Sequence, residues 1–217
     1  MKKILVLTAC DHNHEPLLEI TKPVYEKYTE RHGYYFKKKD IINFNKPQSW
    51  FKIEALIEYG ESDYDYILWC DSDTIILNPA FKLESIIDKN KDLYISQDNL
   101  GLNCGVFLIK NSDTMRKFLK RIQSLYPEFP ETHPLAGIWE QAAVWKLCYE
   151  NYLNIRSLIK IIPQYVINAY DPETKPQEIN GHVNDHTFIL HLPNTPMQKR
   201  LELFRNYYNK YYIERKL

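Results

Sequence analysis

The sequence predicts an α/β fold: a single domain over residues 1–217, with a mostly parallel central sheet flanked by helices. Two observations carry this. Short apolar runs rich in branched and aromatic side chains recur along the chain, and segments of helical period lie between them. At 217 residues, the chain is also long enough to bury a core without a disulfide or metal staple.

Taken in order, Ile4–Ala9 reads as a buried first strand. Pro16–His32 is a helix with Leu17, Leu18, Val24, Tyr25 and Tyr28 on its inner side, with Pro23 expected to kink it and Gly33 to end it. Tyr35–Asp40 is a second strand. Ser49 is placed to cap a helix over Trp50–Tyr59, which Gly60 closes. Tyr66–Cys70 suits a buried strand and is too short for a stable helix; the next apolar run, Thr74–Leu77, stops at Asn78-Pro79. Leu83–Asp88 is expected to be a short helix, and Leu93–Ser96 a strand ending in Gln97-Asp98-Asn99. Leu102–Ile109 is polar at its start and apolar after: Gly105 permits close backbone approach, and Asn103 offers a donor and an acceptor. A glycine bulge with a local asparagine turn explains that segment equally well.

Ser112 caps a helix running to Tyr126, and Pro127–Pro134 is a loop long enough to act as a lid or to face an acceptor. Trp139–Trp145 opens the next helix, while Ile159–Ile162 and Thr187–Leu190 are further strands, the second leading into His191. From Met197 the tail is helical and aromatic.

Composition narrows the function classes. Twenty-eight basic residues balance twenty-eight acidic ones, so no global field points to nucleic acid as a partner. The four cysteines are widely separated, without CxxC spacing, and read as reduced core thiols of a cytoplasmic protein. The opening Met1-Lys2-Lys3 leads into a strand with no cleavage-like site, and no apolar stretch approaches the roughly twenty residues that span a bilayer. The loop Cys10-Asp11-His12-Asn13-His14 lacks GxGxxG, and no GxxxxGK[ST] loop occurs, so any bound phosphate needs a cation or basic side chains. His12 and His14 lack a third ligand nearby and read as solvated loop residues.

Chemistry concentrates at Asp71-Ser72-Asp73. A buried strand that ends in two acids one residue apart places both charges where water or a cation must meet them. Mutual repulsion gives a mere turn little gain from the second acid. Such oxygens suit Mn2+ or Mg2+, particularly an ion that also carries a substrate's phosphates. His191, again at a strand end, adds an imidazole and favours manganese. As a strand-end acid facing solvent, Asp73 is expected to add little to the core.

Five pieces together, Trp50-Phe51-Lys52, Trp69-Cys70-Asp71-Ser72-Asp73, Leu77-Asn78-Pro79, Asn103-Cys104-Gly105-Val106-Phe107, and Glu140-Gln141 followed by His191, span most of the chain. In that order they resemble the GT-A class of nucleotide-sugar glycosyltransferases, and most closely the family of the Golgi α-mannosyl and α-galactosyl transferases and xyloglucan xylosyltransferases. The resemblance implies a GT-A fold and transfer of a hexose or related sugar from a UDP- or GDP-sugar to a glycan or other hydroxyl acceptor, with retention. It implies that Asp71 and Asp73 hold a metal bridging the donor diphosphate, with His191 as third ligand and Ser72 between the two acids. Asp98, Asn103 and Gly105 would contact the donor sugar, Lys52 would lie near the nucleotide sugar, and Thr8, Ala9, Cys10 and Asp11 would meet the base or ribose. Glu140 or Gln141 would stabilise an oxocarbenium-like transition state, or Glu140 would act as nucleophile. Members commonly carry an anchor and stem, so a cytosolic bacterial or large-virus enzyme is expected here. They also follow the histidine with a glycine and a basic residue, where this chain has Pro193, Asn194 and Pro196; Lys199 or Arg200 substitutes only if the loop folds back.

Two other classes fit parts of the pattern. Asp71-Ser72-Asp73-Thr74 matches the first motif of haloacid-dehalogenase-like phosphatases, but two strand-helix units precede it and no late GDxxxD-like motif follows. A non-catalytic carbohydrate-binding domain would use the seventeen tyrosines as stacking surfaces, which composition and core edges explain as well. Finally, Gln198–Leu217 carries six basic and two acidic residues. It reads as a packed amphipathic helix, or else as a peripheral membrane contact with Tyr207, Tyr208, Tyr211 and Tyr212 at the headgroup layer.

Overall fold

A computed structural model describes residues 2–126 and 139–214. The main sheet contains β1 (Ile4–Cys10), β2 (Tyr35–Asp40), β3 (Tyr66–Asp71), β5 (Leu93–Asp98), β6 (Gly101–Lys110) and β7 (Ile159–Ile161), in the order β2-β1-β3-β6-β5-β7. A small second sheet pairs β4 (Thr74–Ile76) with β8 (Ile189–His191). The helices are α1 (Glu15–His32), α2 (Phe51–Gly60), α3 (Asp113–Ser124), α4 (Trp139–Tyr149), the single turns α5 (Ile155–Leu158) and α6 (Gln164–Ile167), and α7 (Met197–Tyr208).

Helices cover both faces of the sheet, which is why its inner strands read as unbroken apolar runs. On β1, Ile4 and Val6 point to one core, with Leu17, Tyr25 and Tyr28 of α1 and Phe204 of α7. Leu5 and Leu7 point to the other, with Leu56 of α2, Phe118 of α3 and Leu147 of α4. Gly33 ends α1 with φ 67°, and the Ser112 hydroxyl accepts from the Met115 N–H at the start of α3, both as the sequence indicates.

The sheet is mixed. β1 pairs in parallel with β2 and β3, and β5 with β7, but β6 runs antiparallel to both neighbours. The reason is local: β5 and β6 are joined through Asn99 and Leu100 alone, and so short a connection makes a hairpin. This reversal positions the site. Cys70 lies opposite Val106, so the start of β6, with Asn103 and Gly105, meets the carboxyl end of β3 where Asp71 stands.

Two expected elements differ. A 3-10 turn at Gln48–Trp50 precedes α2, so Ser49 lies inside a turn instead of capping the helix. Only a 3-10 turn, Leu83–Ser85, forms where a longer helix was expected. The Pro127–Pro134 loop lies outside the described residues.

Of the two readings of the tail, the structure takes the packed helix. Tyr211 is buried, and Tyr207, Tyr208 and Tyr212 pack against the core. The Tyr207 hydroxyl donates to Asp171 and that of Tyr212 to the Ile76 carbonyl, so these rings serve the fold and do not form a headgroup layer. Lys199 pairs with Glu173 and Glu202, and Arg200 turns inward. Among the described residues, no helix is long and apolar enough to cross a membrane.

Candidate active site

A cleft of about 630 Å³ runs over the carboxyl ends of β1 and β3 to the β5–β6 hairpin, a size suited to a small organic ligand. Its floor carries Asp71, Ser72 and Asp73, where β3 gives way to β4. Thr74 on β4 pairs with His191 on β8, and the Asp73 carbonyl accepts from the Leu192 N–H, so two distant segments are clamped side by side. One ligand atom from each of Asp71, Asp73 and His191 lies within 4.8 Å of the others.

The donor set fits a divalent ion. An amide oxygen only accepts, so the contact of 2.8 Å between His191 Nδ1 and Asn168 Oδ1 places the ring proton on Nδ1. Nε2 then turns a lone pair toward Asp73 Oδ1 at 3.2 Å. Two acceptors that close call for a cation shared between them, and neighbouring positions around an octahedral ion with bonds of about 2.1 Å are about 3 Å apart. Burial alone would raise the Asp73 carboxyl, but positive charge on the His191 side, a proton on Nε2 where no metal is bound, acts with Arg200 to outweigh it and hold it below the ordinary carboxylate range.

Gly105 explains how the imidazole fits. A Cβ there would sit 2.2 Å from His191 Cε1 and 2.6 Å from Nδ1, so only glycine lets the ring lie on the β6 backbone. Gly105→Ala is therefore expected to push His191 off Asp73 and Asn168. The fold should lose about 1–3 kcal/mol through overpacking, and Mn2+ affinity should fall roughly 10–100-fold. Urea denaturation and Mn2+ calorimetry check the two effects.

Asp71 is held from behind. Trp69, two residues earlier on the same strand face, donates its indole N–H to Asp71 Oδ1 at 2.7 Å. Lys52 Nζ lies 3.0 Å from the same oxygen, 2.8 Å from Glu140 Oε1 and 2.8 Å from the Cys104 carbonyl. Burial would depress the Lys52 pKa, but Asp71 and Glu140 more than offset it and raise it above the usual lysine value. Burial raises Glu140 above the ordinary glutamate value, with Lys52 opposing and Asp71 adding to the rise.

The other expected residues divide. Ala9, Cys10 and Asp11 line the cleft, whereas Thr8 is wholly buried with its hydroxyl unpartnered, so its side chain does not reach a ligand there. Asp98 and Asn103 line it too, but both are tied into the hairpin. Asp98 Oδ1 accepts from the Leu100 and Gly101 N–H groups, and Oδ2 accepts from the Asn103 amide and the Tyr170 hydroxyl. Asn103 Oδ1 accepts from the Gly105 N–H. Gln141 lines the cleft with Oε1 fixed by the Cys104 N–H, while Glu140 is engaged by Lys52.

Three residues in the assembly were not singled out from the sequence. Asn168 and Tyr170 follow a one-turn helix and carry no local signal. His14, read as a solvated loop residue, has its Nδ1 bound to Asp11 and its Nε2 facing Arg200. Arg200 does fold back, with Nε donating to the Leu192 carbonyl and Nη2 lying 3.0 Å from Asp73 Oδ2.

The sequence profile described as the galactosyl transferase GMA12/MNN10 family matches residues 1–93 and 86–200. A probable alpha-1,6-mannosyltransferase, MNN10 of Saccharomyces cerevisiae, is 28% identical, the match covering 76% of this chain and 52% of that protein. An uncharacterized alpha-1,2-galactosyltransferase of Schizosaccharomyces pombe is 26% identical over 66% of this chain and 48% of its own length. The chain thus spans about half the length of the curated relatives it matches. Among solved structures, a glycosyltransferase involved in glycosylation of the major capsid of PBCV-1 superposes with a TM-score of 0.72 at 20% identity, covering 94% of this chain and 99% of that one. The glycosyltransferase GlyE of Streptococcus pneumoniae gives a TM-score of 0.61 at 14% identity, over 95% of this chain and 60% of that one. These two likenesses are of fold.

Proposed function

The chain belongs to the galactosyl transferase GMA12/MNN10 family and has a GT-A fold, and from that premise we propose that it is a metal-dependent glycosyltransferase. It moves a hexose or related sugar from a UDP- or GDP-sugar to a hydroxyl of a glycan or other acceptor, with retention of configuration. The observation that carries this reading is the convergence of Asp71, Asp73 and His191 on the floor of the cleft. Membership in this family sets aside the phosphatase alternative.

Asp71, Asp73 and His191 would hold Mn2+, or Mg2+, which when bound offsets the negative charge that develops on the leaving nucleoside diphosphate. Trp69 and Lys52 fix the orientation of Asp71, and Asn168 fixes the tautomer of His191. Arg200 supplies the positive charge that the residues directly after His191 lack, and is placed to receive a diphosphate. Ala9, Cys10 and Asp11 bound the cleft at the end assigned to the nucleotide, and the Asp98, Asn103 and Gly105 hairpin bounds the end assigned to the sugar. Because Glu140 is committed to Lys52, its part in retention is to keep that ammonium in place, and Gln141 is the member of the pair assigned to the sugar.

The names of the curated relatives include mannosyl and galactosyl transfer, so GDP and UDP are the donors to compare. The expected result is a thermal shift with UDP or GDP that requires Mn2+ and disappears with EDTA. Manganese-dependent hydrolysis of the matching nucleotide sugar should accompany it, with the product anomer read by proton NMR. Binding without hydrolysis in a full donor screen would leave a carbohydrate-binding domain, and an inverted product would remove retention.

A further inference from the structure

We infer that Arg200 is a built-in counter-cation of Asp73 that competes with a metal ion for this carboxylate until a diphosphate arrives, and that the Asp11–His14 pair holds it there. The inference rests on the metal reading above. Its structural basis is a continuous chain of polar contacts from β1 to β8. Asp11 Oδ1 accepts from His14 Nδ1 at 2.5 Å, which assigns the proton to Nδ1 because a carboxylate accepts. His14 Nε2 is then an acceptor. It faces Arg200 Nη1 at 3.3 Å, and guanidinium nitrogens only donate. Nε of the same side chain is fixed by the Leu192 carbonyl, leaving Nη2 to the ion pair with Asp73. All three faces of the guanidinium are thus engaged, and its side chain is only 12% exposed.

Asp73 meets His191 on one oxygen and Arg200 on the other, and its side chain is 13% exposed. A divalent ion entering beside His191 meets a fixed positive charge bound to the same carboxylate. In so shielded a place, the repulsion between the two is not screened away by solvent. Arg200 therefore weakens binding of the bare ion. Once a diphosphate is present, its negative charge attracts both cations and the sign of Arg200's contribution reverses. Metal and donor then bind cooperatively, because each relieves the charge imbalance the other would leave.

The test is Mn2+ titration of the whole protein by calorimetry or electron paramagnetic resonance, without nucleotide and then with UDP or GDP at saturating Mn2+. Arg200→Gln is expected to bind Mn2+ about tenfold more tightly than the wild type without nucleotide, yet to bind the nucleoside diphosphate about tenfold more weakly. Arg200→Lys keeps the charge and should stay near wild type in the first titration. His14→Ala removes the acceptor for Nη1 and should tighten Mn2+ by a smaller factor, about threefold; no change there overturns the part assigned to the Asp11–His14 pair. Wild-type Mn2+ binding that R200Q leaves unchanged or weakens, in a variant whose melting curve shows it folded, overturns the inference while the metal reading stands. Absence of Mn2+ binding in both proteins overturns the two together.

Discussion

Lys52→Met is expected to destabilise the protein by about 3–5 kcal/mol, lowering the melting temperature by on the order of 10 °C. The ammonium is the shared partner of Asp71 and Glu140, and its side chain and that of Glu140 are each 4% exposed. Removing it leaves two carboxylates facing one apolar side chain, with Glu140 having little access to water. The pH dependence supplies a second readout. Burial already raises Glu140 above the ordinary glutamate pKa, and losing Lys52 removes the group that opposes this rise. A carboxyl whose folded pKa is raised costs stability above its folded pKa and costs nothing below its unfolded value, about 4.3. The deficit of K52M should therefore shrink as pH falls from 7 toward 4. Adding Glu140→Gln should recover part of the loss at neutral pH, since the surplus buried charge is then gone. Urea denaturation of the single and double variants at two pH values measures this. A K52M protein as stable as wild type at pH 7 would show that the three groups are not coupled.

The parts of the site that the sequence made legible are those whose signal is local. Asp71 and Asp73 follow directly on an apolar run, and His191 follows another, so each could be placed at a strand end without knowing its neighbours. Gly105 was legible as a glycine with a purpose, but not its purpose, because the ring that needs the space belongs to β8 at the far end of the chain. The direction of β6 has no strong local mark, although no helical segment separates Leu93–Ser96 from Leu102–Ile109. Asn99-Leu100 lacks the asparagine-glycine or aspartate-glycine pair that marks a tight hairpin. Aromatic residues on the tail gave a true amphipathic pattern, but periodicity alone does not say whether the apolar stripe meets protein or lipid; their hydroxyl partners, Asp171 and the Ile76 carbonyl, decide for protein.

Asp73→Asn is expected to abolish Mn2+-dependent nucleotide binding, with Mn2+ affinity falling by roughly 100-fold or more, and also to weaken the fold. The second half reverses what a solvent-facing acid at a strand end would do. Asp73 is 9% exposed, and its carboxylate answers both His191 and Arg200. Asparagine keeps the shape but not the charge, so the enclosed Arg200 guanidinium loses its counter-ion while retaining its bonds to Leu192 and His14. A loss of about 2–3 kcal/mol follows, less than for a fully buried pair because some water still reaches the site. Metal loss and fold loss are separable. In Asp73→Asn combined with Arg200→Gln, the orphaned cation is gone, so stability should recover most of the deficit while Mn2+ binding stays absent, because Asp71 and His191 alone leave the ion short of its second carboxylate. Calorimetric titration with Mn2+ and melting curves on the two variants give both quantities. Full Mn2+ affinity in D73N would remove Asp73 from the metal site, and a double variant no more stable than the single one would remove the Arg200 pairing as the source of the loss.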